Sequence, residues 1–241
     1  MTLTRDAFLG GRLLLWQPAG GFRSGSDAVL LAAAVPAVEG QSVLDLGCGI
    51  GAAMYCLAAR VPGLSLTGVE IDGAAAVLAR RNGSAEVVEA DVLSLPPELR
   101  NRQWDHVLAN PPYFEADAGT PAQDTKREAG LREGAAGDLF RWVEVACRRV
   151  AARGTVTLVA RTDRLADLLA PMIAALGAVT ILPVAARPLA PAKRVIVQGT
   201  KGARAPLRLM PPLVLHEDGE TGAYRAQADA ILRDMAPIAL R

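Results

Sequence analysis

The chain has 241 residues, 51% of them hydrophobic and 21% charged, with a net charge of +1. That composition supplies a sizeable core and excludes a disordered chain. Charge, Gly or Pro interrupts every apolar run well short of a membrane span, and the opening "MTLTRDAFLGGR" lacks the apolar stretch of a secretory signal. Cys48, Cys56 and Cys147 are too few and too scattered for a disulfide framework or a zinc site, which fits reduced thiols in the cytoplasm.

The first forty residues hold a Gly-rich turn, "PAGGFRSGSDAVLL", in which Ser26 or Asp27 is the expected N-cap of a helix over Ala28–Val35. Val43–Gly47 is a short buried strand, Ala52–Arg60 a helix, Leu64–Ile71 a second strand and Gly73–Asn82 a second helix closed by Asn82–Gly83. Ala85–Ala90 and Trp104–Ala109 read as strands, Asp138–Val150 as a helix, Gly154–Ala160 as a strand and Asp163–Leu176 as a helix. Val179–Pro183 and Arg194–Gln198 are the final expected strands, and "IVQGTKG" reads as the start of a hairpin. Repeated strand–helix units predict an α/β fold with a mostly parallel sheet covered on both faces. Residues 1–40 are expected to be an extension packing on a domain over 41–241. The polar segment Glu115–Gly137 is longer than an ordinary connection, as lids, binding loops and disordered segments are. From Leu168 to His216 there is no acidic residue, while Arg187, Lys193, Arg194, Lys201, Arg204 and Arg208 all fall there, a basic bias suited either to nucleic acid or to a solvated face. His106 reads as a core or edge histidine and His216 as an exposed turn residue without a metal partner.

The chemistry concentrates between Val43 and Phe114. "VLDLGCGIG" puts Asp45, Gly47, Gly49 and Gly51 at the carboxyl end of the first buried strand, where open α/β sheets bind ligands. Glycines let the backbone turn and approach a ligand closely. Two further acids follow at strand ends, Glu70 and Asp91. An acid beside the glycines repels a pyrophosphate. A nucleoside with an amino acid tail suits the set better: Glu70 for the ribose hydroxyls, Asp91 for an adenine amino group and Asp45 for an ammonium. Cys48 reads as small packing within the loop.

Together "VLDLGCGIG", "GVEID", "EADV" and "LANPPYF" resemble the class I S-adenosylmethionine-dependent methyltransferases. The resemblance implies a doubly wound, seven-stranded, mostly parallel Rossmann-like sheet whose last strand is antiparallel. It implies S-adenosyl-L-methionine as cofactor, S-adenosyl-L-homocysteine as product and no metal. The implied cofactor-binding residues are Asp27, Asp45, Gly47, Gly49, Gly51, Glu70, Ile71, Asp91, Val92 and Asn110. The implied catalytic residues are Asn110, Pro111, Pro112 and Tyr113, a motif that in the family marks transfer to an amino group conjugated to a planar system. Such a nitrogen is a poor nucleophile, and acceptors on its N–H groups localise its lone pair. The Asn110 side chain and the Pro111 carbonyl supply acceptors, the prolines hold them stiffly, and Tyr113 offers a stacking face. The motif leaves adenine N6, cytosine N4, guanine N2 and a protein glutamine amide as candidates. "DAFLGGRLLLWQPAGGFRSGSDAVLLAAAVP" and "LHEDGETGAYRAQADAILRDM" resemble the two ends of the bacterial valine-tRNA adenine-N6 methyltransferase family, the second with a Gly-x-Tyr turn before a final helix. That implies adenine N6 in a tRNA near its anticodon, hence an RNA partner, with a protein glutamine, an rRNA base or a small molecule as the alternative.

Overall fold

The computed structural model describes residues 2–21, 23–112, 114–115, 132–133, 138–218 and 222–240. β1 (Leu3–Phe8) and β2 (Leu13–Pro18) form an antiparallel hairpin, followed by α1 (Ser26–Ala34). Then come β3 (Ser42–Leu46), α2 (Ala52–Arg60), β4 (Ser65–Glu70), α3 (Gly73–Asn82), β5 (Glu86–Glu89), the short α4 (Pro97–Arg100) and β6 (Trp104–Ala109). The two-residue strands β7 (Phe114–Glu115) and β8 (Arg132–Glu133) pair with each other. After them run α5 (Asp138–Arg149), β9 (Val150–Arg161), α6 (Leu165–Ala175), β10 (Gly177–Ala185) and β11 (Arg194–Thr200). The short strands β12 (Arg208–Leu209) and β13 (Leu213–Val214) precede the final helix α7 (Ala226–Asp234).

The central sheet runs β12-β10-β11-β9-β6-β3-β4-β5, with β13 also pairing β10. β9, β6, β3, β4 and β5 are mutually parallel, and β11 is antiparallel to both β9 and β10. The expected seven-stranded sheet is therefore present, its antiparallel strand inserted between β9 and β10. Among the described residues β12 and β13 extend it to nine strands. The chain leaves β3 toward β4 and β5, then returns to β6 on the other side of β3. That reversal opens a crevice at the carboxyl edge between β3 and β6.

The strands are almost continuously apolar because both faces are covered. Val43, Leu108, Val159, Ile196 and Leu182 pack with the hairpin, α1, α2, α3 and α7 on one face. Leu44, Leu46, Val107, Leu158, Val197 and Ile181 pack with α4, α5 and α6 on the other. This strict alternation fixes the register, because a one-residue slip would exchange the two faces.

Three expectations are corrected. The N-cap of α1 is Gly25, and no side chain caps the helix; Asp27 sits in the first turn with its carboxylate drawn to Arg194 instead. β11 is the second arm of a hairpin with β10 and does not open another. After a turn at Lys201–Gly202 the chain crosses to the far side of β10, where β12 and β13 pair parallel to it. His216 is half-buried rather than exposed: it bridges Tyr224, and the two rings stack at 4.7 Å. The hairpin β1–β2 is absent from the sequence reading. Of the expected long loop 115–137, the structure describes only 115, 132 and 133.

Candidate active site

One row across the sheet organises the site. Ala109, Leu46, Val69 and Val88 are register partners on β6, β3, β4 and β5. The next residue on each strand path is Asn110, Gly47, Glu70 and Glu89. Strands lie about 4.8 Å apart, so these four positions line the carboxyl edge side by side.

After β3 the backbone turns sharply. Gly47, Gly49 and Gly51 all have positive φ, at 67°, 55° and 85°. Cys48 N donates to Val69 O at 2.9 Å and Gly51 N to Cys48 O at 2.8 Å, which ties the loop to β4 and starts α2. A Cβ on Gly47 would lie 2.6 Å from the Trp142 ring, and one on Gly51 would lie 2.4 Å from the Tyr55 ring. A Cβ on Gly49 would meet nothing within 4 Å. Gly49 thus presents bare backbone to open space.

Glu70 is buried and clasps this loop: its carboxylate accepts from Gly49 N at 2.7 Å and from Asp72 N at 2.8 Å. Burial raises its pKa, and the amide donors pull it back down. Each carboxylate oxygen has a second lone pair, so further hydroxyl donors can still be accepted. Asp45 is more deeply buried, and its Oδ2 has no hydrogen-bond partner among the described residues. Burial, with the nearby Glu70 adding to it, pushes its pKa up to about 8, against a smaller pull from the Met54 amide at the start of α2. Asp91 is exposed and caps the turn that follows it, its Oδ1 accepting from Leu93 N at 2.8 Å.

The remaining expected residues are placed as follows. Ile71 is exposed beside Glu70, whereas the Val92 side chain is buried in the core under α5, so only its backbone can reach the crevice. Asp27 Oδ2 accepts from Arg194 Nε at 2.8 Å, which joins α1 to the start of β11. Asn110 and Pro112 are half-buried and Pro111 buried, directly after β6. Tyr113 lies outside the described residues. Burial raises the Cys48 thiol well above its usual range, which suits packing and not nucleophilic attack.

Sequence reading misses three contributors. Trp142 packs on Gly47. Glu89 continues the edge row, its carboxylate against Gly73 at the start of α3. Asn82, read only as a helix end, braces the glycine loop: Oδ1 accepts from Trp16 N at 2.7 Å, and Nδ2 donates to Trp16 O and Ile50 O, each at 3.0 Å. One side chain therefore joins the hairpin to the loop, a tertiary contact that no local pattern announces. The basic tract also divides. Arg187, Lys193 and Arg194 stand at the carboxyl edge, whereas Lys201, Arg204 and Arg208 follow β11 to the opposite edge. There Lys201 donates to Cys147 O and Arg208 to Leu240 O. The tract is not one patch, because β11 reverses direction within it.

A family model described as methyltransferase small domain matches residues 20–129. A tRNA1(Val) (adenine(37)-N6)-methyltransferase of Enterobacter sp. is 33% identical over 138 residues, 53% of this chain and 56% of that protein. The Porphyromonas gingivalis protein of the same name is 31% identical over 183 residues, 68% of each. The matched part of this chain thus spans little more than half of the first relative and about two thirds of the second. Among solved structures, one described as a predicted O-methyltransferase from Agrobacterium tumefaciens superposes with a TM-score of 0.73 at 27% identity, covering 89% of this chain and 99% of that one. A Thermus thermophilus 16S rRNA N2 methyltransferase in complex with AdoMet and guanosine shares the fold, with a TM-score of 0.56 at 22% identity over 83% of this chain and 50% of that one.

Proposed function

We infer the activity from membership: the chain belongs to the class I S-adenosylmethionine-dependent methyltransferases, and we propose that it methylates an exocyclic amino nitrogen, adenine N6 in tRNA. The observation that carries this reading is the edge row, in which Asn110 and Gly47 follow the register-paired Ala109 and Leu46.

The cofactor of this class is S-adenosyl-L-methionine, and the residues present fit it. Asp45 holds a buried oxygen with no partner among the described residues, suited to the ammonium of the amino acid tail. Gly49 leaves space where a Cβ would stand. Glu70 faces that loop with acceptor capacity left for ribose hydroxyls. The cofactor supplies an electrophilic sulfonium methyl.

The chain's own residues then position the acceptor. The Asn110 amide oxygen and the Pro111 carbonyl accept from the two N–H groups of the target amine, which favours its lone pair pointing at the methyl. The two prolines restrict the backbone, so little ordering is needed on binding. Neither acceptor takes up a proton near neutrality. This suits an amine, which becomes acidic once methylated, better than a hydroxyl, which needs a base beforehand. For that reason we favour an amine despite the O-methyltransferase description of the Agrobacterium structure. Adenine N6 is chosen over other amines because the valine-tRNA relatives carry that name. In this reading residues 1–40 serve the 41–241 domain as an extension, and the protein works in the cytoplasm; among the described residues no helix is long and apolar enough to cross a membrane.

The test is methyl transfer from labelled S-adenosylmethionine into total bacterial tRNA and, separately, into total protein, followed by mass spectrometry of the nucleosides. N6-methyladenosine in tRNA is the expected product. Label confined to protein overturns the reading in favour of a glutamine acceptor, and label on another base corrects the nucleotide.

A further inference from the structure

We propose that the loop joining β10 to β11 is an apolar wedge for RNA, with Leu189 inserting at a base step beside the acceptor nucleotide and Arg187 and Lys193 holding the flanking phosphates. This rests on the RNA reading above.

The sequence of the loop, "ARPLAPAKR", is unusual for a turn. Ala190 N donates to Arg187 O at 3.2 Å, Pro188 occupies the second position and Leu189 the third with φ +59°. That is the pattern of a type II turn, whose third position favours Gly or Asn because φ is positive there. Here it carries a leucine that is fully exposed. A disfavoured backbone conformation holding a large apolar side chain in water helps neither the turn nor the core, and strain of this kind gathers at functional sites.

The loop is held rigidly at its base. Ala186 O accepts from His216 N at 2.9 Å, Ala192 O from Thr162 Oγ1 at 2.8 Å and Lys193 O from Thr162 N at 3.3 Å. At its tip the Leu189 side chain is exposed to solvent. Arg187 and Lys193 are exposed, and their side chains have no ion pair among the described residues. Two cations flanking an apolar tip match the phosphates on either side of a base step.

The register sets the distance from the crevice. Ala109 pairs Leu158 on β9, while Arg161, three residues further on, pairs Arg194, which pairs Val184. The β9–β11–β10 side therefore rises about 7 Å above the Asn110 row, which is level with Val159, and β10 stands about 14 Å to its side. A base step one nucleotide from an acceptor seated at Asn110 falls within that reach. Apolar side chains that open a base step lower the cost of extruding a neighbouring base.

The test uses the full chain, S-adenosylmethionine and folded total tRNA, with Leu189→Gly and Leu189→Met. Gly fits the positive φ, so Leu189→Gly should melt no lower than the parent. Its kcat on tRNA should fall at least tenfold with KM for tRNA and cofactor affinity unchanged, and Leu189→Met should restore kcat. Arg187→Ala with Lys193→Ala should instead raise KM and shallow its salt dependence. A Leu189→Gly variant with parental kcat, one altered only in KM, or a loss that Leu189→Met fails to restore overturns the wedge alone. No transfer to RNA by the parent protein overturns the RNA reading, and the wedge with it.

Discussion

In the proposed site, Asp45 sets a measurable opposition between stability and cofactor binding. Its folded-state pKa of about 8 stands above the unfolded value of 3.8. Between those values the folded protein binds a proton that the unfolded chain does not. Stability is therefore greatest on the acidic side and falls as pH rises, by at most about 1.4 kcal/mol per unit, levelling off above about pH 8. At about pH 7 the accumulated penalty is on the order of 4 kcal/mol, an upper bound because a buried site relaxes on ionising. Asp45→Asn removes the titration. It should raise the melting temperature of the cofactor-free protein near neutrality and flatten its pH dependence. Binding moves the other way. At about pH 7 roughly nine tenths of Asp45 is protonated, so apparent affinity should improve about tenfold as the carboxylate forms. Well above about pH 8 the ligand's own ammonium, held above a peptide terminus by its adjacent carboxylate, loses its proton and the gain reverses. Calorimetry with S-adenosylhomocysteine, which keeps the amino acid tail, should show a bell with its maximum above about pH 8 for the parent, and Asp45→Asn should lack the acid limb. A variant that melts lower than the parent near neutrality, or keeps the acid limb, refutes the assignment of Asp45 to the ammonium.

Asn110→Ala should cut kcat at least a hundredfold, in the range seen when one transition-state acceptor or donor is lost, while cofactor affinity stays within a few fold; equal losses in both would contradict its role. Gly47→Ala and Gly49→Ala should separate packing from binding. Both pay about 1–2 kcal/mol for positive φ, but Gly47→Ala also collides with Trp142 and should cost about 1–3 kcal/mol more in denaturant melts, whereas Gly49→Ala should chiefly weaken calorimetric cofactor affinity. Ser42→Ala removes a hydroxyl that donates to Asp105 at 2.7 Å and accepts from its amide at 3.0 Å. The bonds from Ser42 hold the Asp105 carboxyl below its ordinary pKa, so they stabilise above the unfolded value and the gain is lost as pH falls through the folded one. The variant should lose about 1–2 kcal/mol near neutrality and show a shallower loss below about pH 4 in acid titrations; a parental acid limb would remove that role.

The parallel core was legible because both of its faces are buried, so β3, β4, β6 and β9 read as apolar runs bounded by glycine and charge. The glycine loop, Glu70 and the Asn-Pro-Pro turn were legible because strand ends in such folds converge. What stayed hidden depends on distant pairing. The hairpin β1–β2 carries Arg5 and Asp6 opposite Trp16 and Leu15, with no clean alternation to mark it. Its Gln17 is buried only because it answers Asp6 and Ser24 from across a turn. Asn82 looks like a helix end and acts as a brace. The expected cap at Ser26 or Asp27 fails because Arg194, 167 residues away in sequence, competes for the Asp27 carboxylate. Linear charge misled for the same reason: strand reversal sends one half of the basic tract to each edge of the sheet.

The Asn-Pro-Pro turn has meaning only through register. Sliding β6 one residue against β3 would replace Asn110 in the row with Ala109 or Pro111, and would turn Val107 and Leu108 onto the wrong faces. The chain fixes that register at the far end of the same strand pair. Asp105 accepts from both Ser42 N and Ser42 Oγ, and His106, buried one residue on, bridges Thr155 at 2.7 Å and Gln41 at 2.8 Å. These groups carry no chemistry and stand four to five residues from Asn110, about 13–17 Å along the strand. Their position accounts for polar side chains in a strand that hydrophobicity alone would make uniform. A purely apolar β6 would pack nearly as well one residue out of step at its ends, whereas a buried His and a carboxylate locked to one serine accept a single alignment. The identity of the residue that reaches the top of β6 is therefore decided at the bottom of the sheet, by these hydrogen bonds.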